Sequence, residues 1–155
     1  MGKRHQAREL AIKVLFHLEY NPGDPVEGFD LISNHFASSA VIKPFSRQLV
    51  LGVCGHQSQI DQLISQSSKN WRLERMSCAD RNILRLAVFE VLFLKEIPPK
   101  VSIDEAVELG KRYGTKESGA FINGILDHIY NELPKSDAAP DPDTPDRDRE
   151  VKPEE

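Results

Sequence analysis

Cysteine is almost missing: Cys54 and Cys78 are the only two in 155 residues, too few for a disulfide framework and half the ligand set of a structural zinc site. Both read as reduced, partly buried small hydrophobes. Long apolar runs are missing too; nothing approaches the roughly 20 residues that a membrane helix requires. With 39% hydrophobic and 28% charged residues, the composition is that of a soluble protein. The opening Met1-Gly2-Lys3-Arg4-His5-Gln6 is basic but runs into mixed sequence containing Glu9 instead of a signal-peptide core, so the expectation is a cytoplasmic protein. No segment alternates with period two, which argues against sheets. At 17.5 kDa the chain has room for one ordinary domain.

Catalytic constellations are equally scarce. Cys54-Gly55-His56 with Asp61 could be drawn as thiol, base and orienting acid, but residues two apart on a helix do not face each other. Asp104, Glu105 and Glu108 suit a helix N-terminus, where acids complement the dipole, better than a metal. Gly52-Val53-Cys54-Gly55 lacks the lysine and the preceding strand of a phosphate loop. The sequence therefore predicts no enzyme, no metal and no cofactor.

Charge is present but unevenly placed. Residues 134–155 carry four bases against eight acids, together with five prolines, while the other residues hold 16 of each sign. So little apolar surface cannot offset the entropy of ordering, and this acidic, proline-rich tail is predicted to be disordered. Residues 1–133 then form the single domain. At the other end, Lys3, Arg4, Arg8 and Lys13 face only Glu9 among the first sixteen residues, a basic lip on a neutral body.

The periodicity predicts an all-α fold of about seven helices. Ala7, Leu10, Ala11, Val14, Leu15 and Leu18 mark a helix over 5–20, with Arg4 and Arg8 on its polar face. Asp24-Pro25-Val26-Glu27 opens a second, ending near Ala37, with an N-cap acceptor, Pro at the first helical position and Glu at N3. From Pro44, Phe45, Leu49, Val50 and Val53 continue past Gly52 and Gly55 to Ile60, Leu63 and Ile64, as one bent helix or two. Ser77 caps a helix that is apolar nearly all round from Ile83 to Leu94 and is therefore central. Ser102 with Glu105 reads as a second capping box, opening a helix that stops at Gly114. In the last helix, with Lys116, Glu117 and Ser118 in its first turn, the apolar spacing from Phe121 to Ile129 overrides the turn signal Asn123-Gly124, making Gly124 a packing contact.

Lys3, Arg4, Gln6 and Arg8 put several donors on one helical end, a pattern suited to phosphate and to single-stranded RNA. Lys111, Arg112 and Lys116 around Gly114 add a second group, which equally suits a solvated helix end.

These motifs converge. Ala7-Arg8-Glu9-Leu10-Ala11-Ile12, Trp71-Arg72-Leu73-Glu74-Arg75-Met76, Asp80 to Glu90, Ile97 to Lys111 and Phe121-Ile122-Asn123-Gly124-Ile125-Leu126-Asp127 together resemble the NusB family of bacterial transcription antitermination factors. The resemblance runs from about Lys3 to Leu133, and the tail lies outside it. It implies two small three-helix subdomains and a non-enzymatic role: binding boxA of nascent ribosomal RNA with NusE, a small-subunit ribosomal protein, and joining other Nus factors on RNA polymerase. By the same resemblance Lys3, Arg4 and Arg8 would meet RNA, joined by Gln6, Arg112 and Lys116 from the charge pattern above, and the two readings combined put Glu117 beside the RNA path. Phe121 would be a base contact or a core anchor, and Phe16, Glu74 and Asp80 would face NusE. Two rivals remain, the RNA-binding module of a ribosomal RNA cytosine methyltransferase and, more seriously, a helical protein-interaction adaptor that binds no RNA.

Overall fold

The structure, a computed structural model, describes residues 2–36, 39–68 and 72–134. The expected helix end at Ala37, Trp71 and residues 135–155 of the tail lie outside the described residues. The described residues form seven helices, α1 (Lys3–Tyr20), α2 (Pro25–His35), α3 (Lys43–Gly55), α4 (Gln57–Ser67), α5 (Cys78–Phe93), α6 (Pro99–Tyr113) and α7 (Ser118–Glu132), with a 3-10 turn at Leu73–Arg75. There is no strand among the described residues.

Helices α1, α2 and α3 pack on one another, as do α5, α6 and α7, with α4 against α5 and α7. Helices α1 and α3 also lie on α5, so one continuous core runs through both groups. The all-round apolar character of α5 has its cause here, since five helices surround it.

Two of the expected caps form. The Glu27 N–H donates to Asp24 Oδ2 at 3.2 Å, and the Asp80 N–H to Ser77 Oγ at 3.0 Å. The segment from Lys43 to Ser67 is two helices, broken at His56. Gly52 explains why no larger residue stands there, because its Cα faces the Phe89 ring and a Cβ would overlap it.

Three local expectations are corrected. Ser102 and Glu105 form no capping box, because Pro99 already occupies the first position of α6, where proline loses no helical hydrogen bond. Ser102 lies buried inside the helix and its hydroxyl donates to Glu90 Oε1 at 2.7 Å. Gly124 makes no packing contact: α7 runs through it, but the residue is exposed and a Cβ would meet nothing within 4 Å. Lys116 and Glu117 precede α7 instead of lying in its first turn, with Glu117 at the N-cap.

A polar cluster ties the far end of α1 to α5. Glu19 accepts from Asn82 Nδ2 at 2.9 Å and from Arg81 Nε at 3.3 Å, and pairs with a second Arg81 nitrogen. Arg85 lies 3.6 Å from Glu19 and binds both oxygens of Asp61, at 2.8 and 3.0 Å. Burial alone would raise the Glu19 pKa, but Arg81, Asn82 and Arg85 outweigh it and hold the carboxyl below its ordinary range. Such a group contributes stability that is complete above its unfolded value, about 4.3, and is lost as pH falls through the lower folded value. In urea unfolding, Glu19→Gln is therefore expected to be less stable than the parent at pH 7, with the gap narrowing as pH falls below about 4.3.

Candidate nucleic-acid interface

The basic lip is built by α1, whose N-terminal turn is fixed by residues on its inner side. Lys3, Arg4 and Gln6 are exposed, while His5 and Arg8 are buried at 9% and 2% relative exposure. His5 Nδ1 lies 2.8 Å from Glu105 Oε1 on α6, and its Nε2 lies 3.6 Å from Glu9. The Arg8 guanidinium donates from Nε and Nη2 to the two oxygens of Glu90 at 2.7 and 2.8 Å. Glu90 also accepts from Ser102, and Glu105 stands 3.7 Å from Arg8. Burial works against the Arg8 charge, yet the hydrogen bond and charge of Glu90, with Glu105 beyond, prevail and raise its pKa.

Arg8 is therefore corrected from the polar face of α1 to its buried side. Its donors are turned toward a buried carboxylate, and a phosphate could reach them only by displacing Glu90. Arg4 remains outside, its Cζ 5.4 Å from the centroid of the Phe45 ring on α3, a cation–π distance that orients the side chain while leaving it accessible.

The other expected RNA residues follow α6 toward α7. Arg112 is 64% exposed but lies 3.1 Å from Glu9 Oε2, so part of its charge is engaged on α1. Lys116 and Glu117 are exposed on the α6–α7 connection. Half-buried Phe121 packs on the core and lines a cleft of about 270 Å³ with Met76, Asp80, Glu117 and Ser118.

The residues expected to face NusE do not converge in one cleft. Phe16 meets Tyr113 edge to face at 6.3 Å, Glu74 lines a separate groove beside Glu19, and Asp80 shares the cleft with Glu117 and Phe121. Asp80 Oδ1 is buried without a hydrogen-bond partner among the described residues.

The alternative constellations are not assembled. Asp61 is bound by Arg85, His56 stacks on Phe93 at 4.1 Å, and burial pushes the Cys54 thiol pKa up, opposite to an activated thiolate. Among the described residues, no group of three His, Cys, Asp or Glu could hold a metal.

The positioning set of His5, Glu90, Ser102 and Glu105 was missed at the level of sequence. Its signal was Glu90, a lone acid between Phe89 and Val91 on a helix apolar nearly all round, which requires a buried partner.

Residues 5–131 match the NusB family. A transcription antitermination protein NusB from Desulfatibacillum aliphaticivorans is 48% identical over 139 residues, which is 90% of this chain and 97% of that protein. Its counterpart from Myxococcus xanthus is 46% identical, over 87% of this chain and 99% of its own. Among solved structures, T. maritima NusB matches with a TM-score of 0.79 at 42% identity, covering 86% of this chain and 95% of that one. A chain from the crystal structure of antitermination factors NusB and NusE in complex with dsRNA matches at 0.78 and 29% identity, covering 86% and 99%.

Proposed function

The chain belongs to the NusB family, and from that premise we propose that it is a transcription antitermination factor that binds boxA of nascent ribosomal RNA together with NusE. In this reading the pair joins other Nus factors on RNA polymerase. The observation that carries it is the α1 end, where the turn that bears exposed Lys3, Arg4 and Gln6 is anchored by the buried His5 and Arg8 contacts. Pre-set cations lose less entropy on meeting an RNA strand than free ones. Related structure supports the partners, since a chain solved with NusE and dsRNA shares this fold. No helix among the described residues is long and apolar enough to cross a membrane.

RNA would run from Lys3 and Arg4 along α6 to Lys116 and Phe121. NusE would engage Phe16, Glu74 and Asp80, whose acidic groups suit a basic ribosomal protein. The test is fluorescence anisotropy of a short boxA RNA with the protein alone and with equimolar NusE, beside a scrambled RNA at equal salt. Selective binding that appears mainly with NusE is the expected result. Absence of selective binding in both conditions would return the protein to a helical adaptor. In the same titration Glu117→Gln is expected to tighten binding about two- to threefold by removing a like charge near phosphate. Unchanged or weaker binding would place Glu117 away from the RNA.

A further inference from the structure

The tail after Pro134 lies beyond the family match, which ends at residue 131, and the fold determines where it leaves the domain. The C-terminal half of α7 lies over the first turn of α6: Tyr130 shares a shallow hollow with Pro99, Lys100, Ile103 and Asp104. The adjoining residue, Glu105, holds His5 of α1 at 2.8 Å, and further along the same helix Arg112 meets Glu9. Helices α1 and α6 therefore run side by side in the same direction. The tail leaves α7 beside the first turn of α6, at the end of the molecule that carries Lys3 and Arg4, with α6 between the two.

Charge distinguishes the two sides of this gap. The carboxylates nearest the α1 end are engaged, Glu90 by Arg8, Glu105 by His5 and Glu9 by Arg112. Lys3 and Arg4 are exposed and have no carboxylate partner among the described residues. Lys100 is exposed beside the exit. Asp104 and Asp127 also face that hollow and repel an acidic chain from it. Residues 136–146 contain Asp137, Asp141, Asp143 and Asp146 and no base. Fully extended, the seven residue steps from Pro134 to Asp141 cover at most about 25 Å, so Asp141 and the aspartates after it have the chain length to pass two helix diameters of roughly 10–12 Å each.

We propose that the acidic segment 136–146 docks on the basic α1 end of its own chain, at Lys3, Arg4 and Lys100, and occupies it as a tethered competitor of RNA. Tethering supplies the segment at millimolar effective concentration, enough for weak ion pairs to be populated. A strand with several phosphates displaces it, whereas a ligand making one or two contacts does not. The competition rests on the proposed RNA role of this end; the docking does not.

The full chain is compared with its Asp137, Asp141, Asp143 and Asp146→Asn variant. Without RNA at low salt, the amide resonances of Lys3–Gln6 and of Lys100 are expected to differ between the two, independently of protein concentration, and to coincide at about 0.5 M salt, where the Debye length falls to a few ångströms. In anisotropy with a short single-stranded RNA, the variant is expected to bind about threefold tighter at low salt, and this gain disappears when Lys3 and Arg4 are both Gln. Unchanged Lys3–Gln6 resonances, differences that grow with protein concentration, or a gain that survives the Lys3 and Arg4 replacements would each overturn the docking, the second by assigning the tail to another copy. If neither chain binds RNA, the proposed function fails while the resonances still decide the docking.

Discussion

Replacing Glu90 with Ala is expected to destabilise the protein by about 3–5 kcal/mol, because it leaves the buried Arg8 charge without its two hydrogen-bonded oxygens and with only Glu105, 3.7 Å away, to face it. For a domain of this size that lowers the melting temperature by roughly 10 °C. Arg8→Ala acts from the other side, stranding Glu90 in the core with one hydroxyl donor, Ser102. Replacing both with methionine recovers most of the loss, since a buried pair and an apolar pair of similar volume differ little in stability. The double variant also separates structure from recognition. A residue that touches phosphate contributes about 0.7 log units of affinity per log unit of salt on a single strand. An anchor contributes none, so the RNA affinity of the double variant should keep the parent's salt slope. A slope reduced by that amount would show that Arg8 leaves Glu90 to meet RNA.

Two glycine-to-alanine replacements on helices are expected to have opposite signs. Within a helix, Gly is worse than Ala by about 0.5–1 kcal/mol, and at Gly124, with open space around the missing Cβ, the replacement should recover that amount as added stability. At Gly52 the new methyl enters the Phe89 ring. That ring is 5% exposed and stacked on Phe93 at 5.4 Å, so it has nowhere to go. Overpacking costs about 1–3 kcal/mol and exceeds the propensity gain, and Gly52→Ala should unfold at lower denaturant than the parent. Chemical denaturation of both variants checks the pair, and stabilisation at Gly52 would mean that the α3–α5 contact is looser than described.

The helices were readable from periodicity because each buries one stripe, and α5 because it has no polar stripe. Their starts were readable where a side chain does the capping, as at Asp24 and Ser77. At α6 two local signals competed, and the proline settled the start; Ser-x-x-Glu spacing carries no information about which residue already fills the first turn. Arg8 was misplaced because a charged residue four positions from Arg4 looks like a continuation of the polar face. It also stands four residues before Ile12 and seven before Leu15, both buried, which puts it on the inner stripe. Only a partner distant in sequence could explain a charge there, and sequence spacing along one helix cannot reveal that partner. For the same reason Lys3, Arg4 and Gln6 emerged as an exposed group from local sequence, while the His5–Glu105 contact that fixes them did not.

The Arg8–Glu90 contact spans 82 positions, and this bears on the order in which a growing chain can settle. Helix α1 leaves the ribosome before α5, and its inner charge has no counterpart until most of α5 has been translated. Until then α1 has α2 and α3 to lean on and a guanidinium that favours water over their apolar faces. The long-range closure is late, whereas α6 and α7, neighbours in sequence, can pair as soon as both exist. The basic lip thus acquires its anchored geometry only once α5 and the first turns of α6 have been made, and until then its cations stand on an unanchored helix.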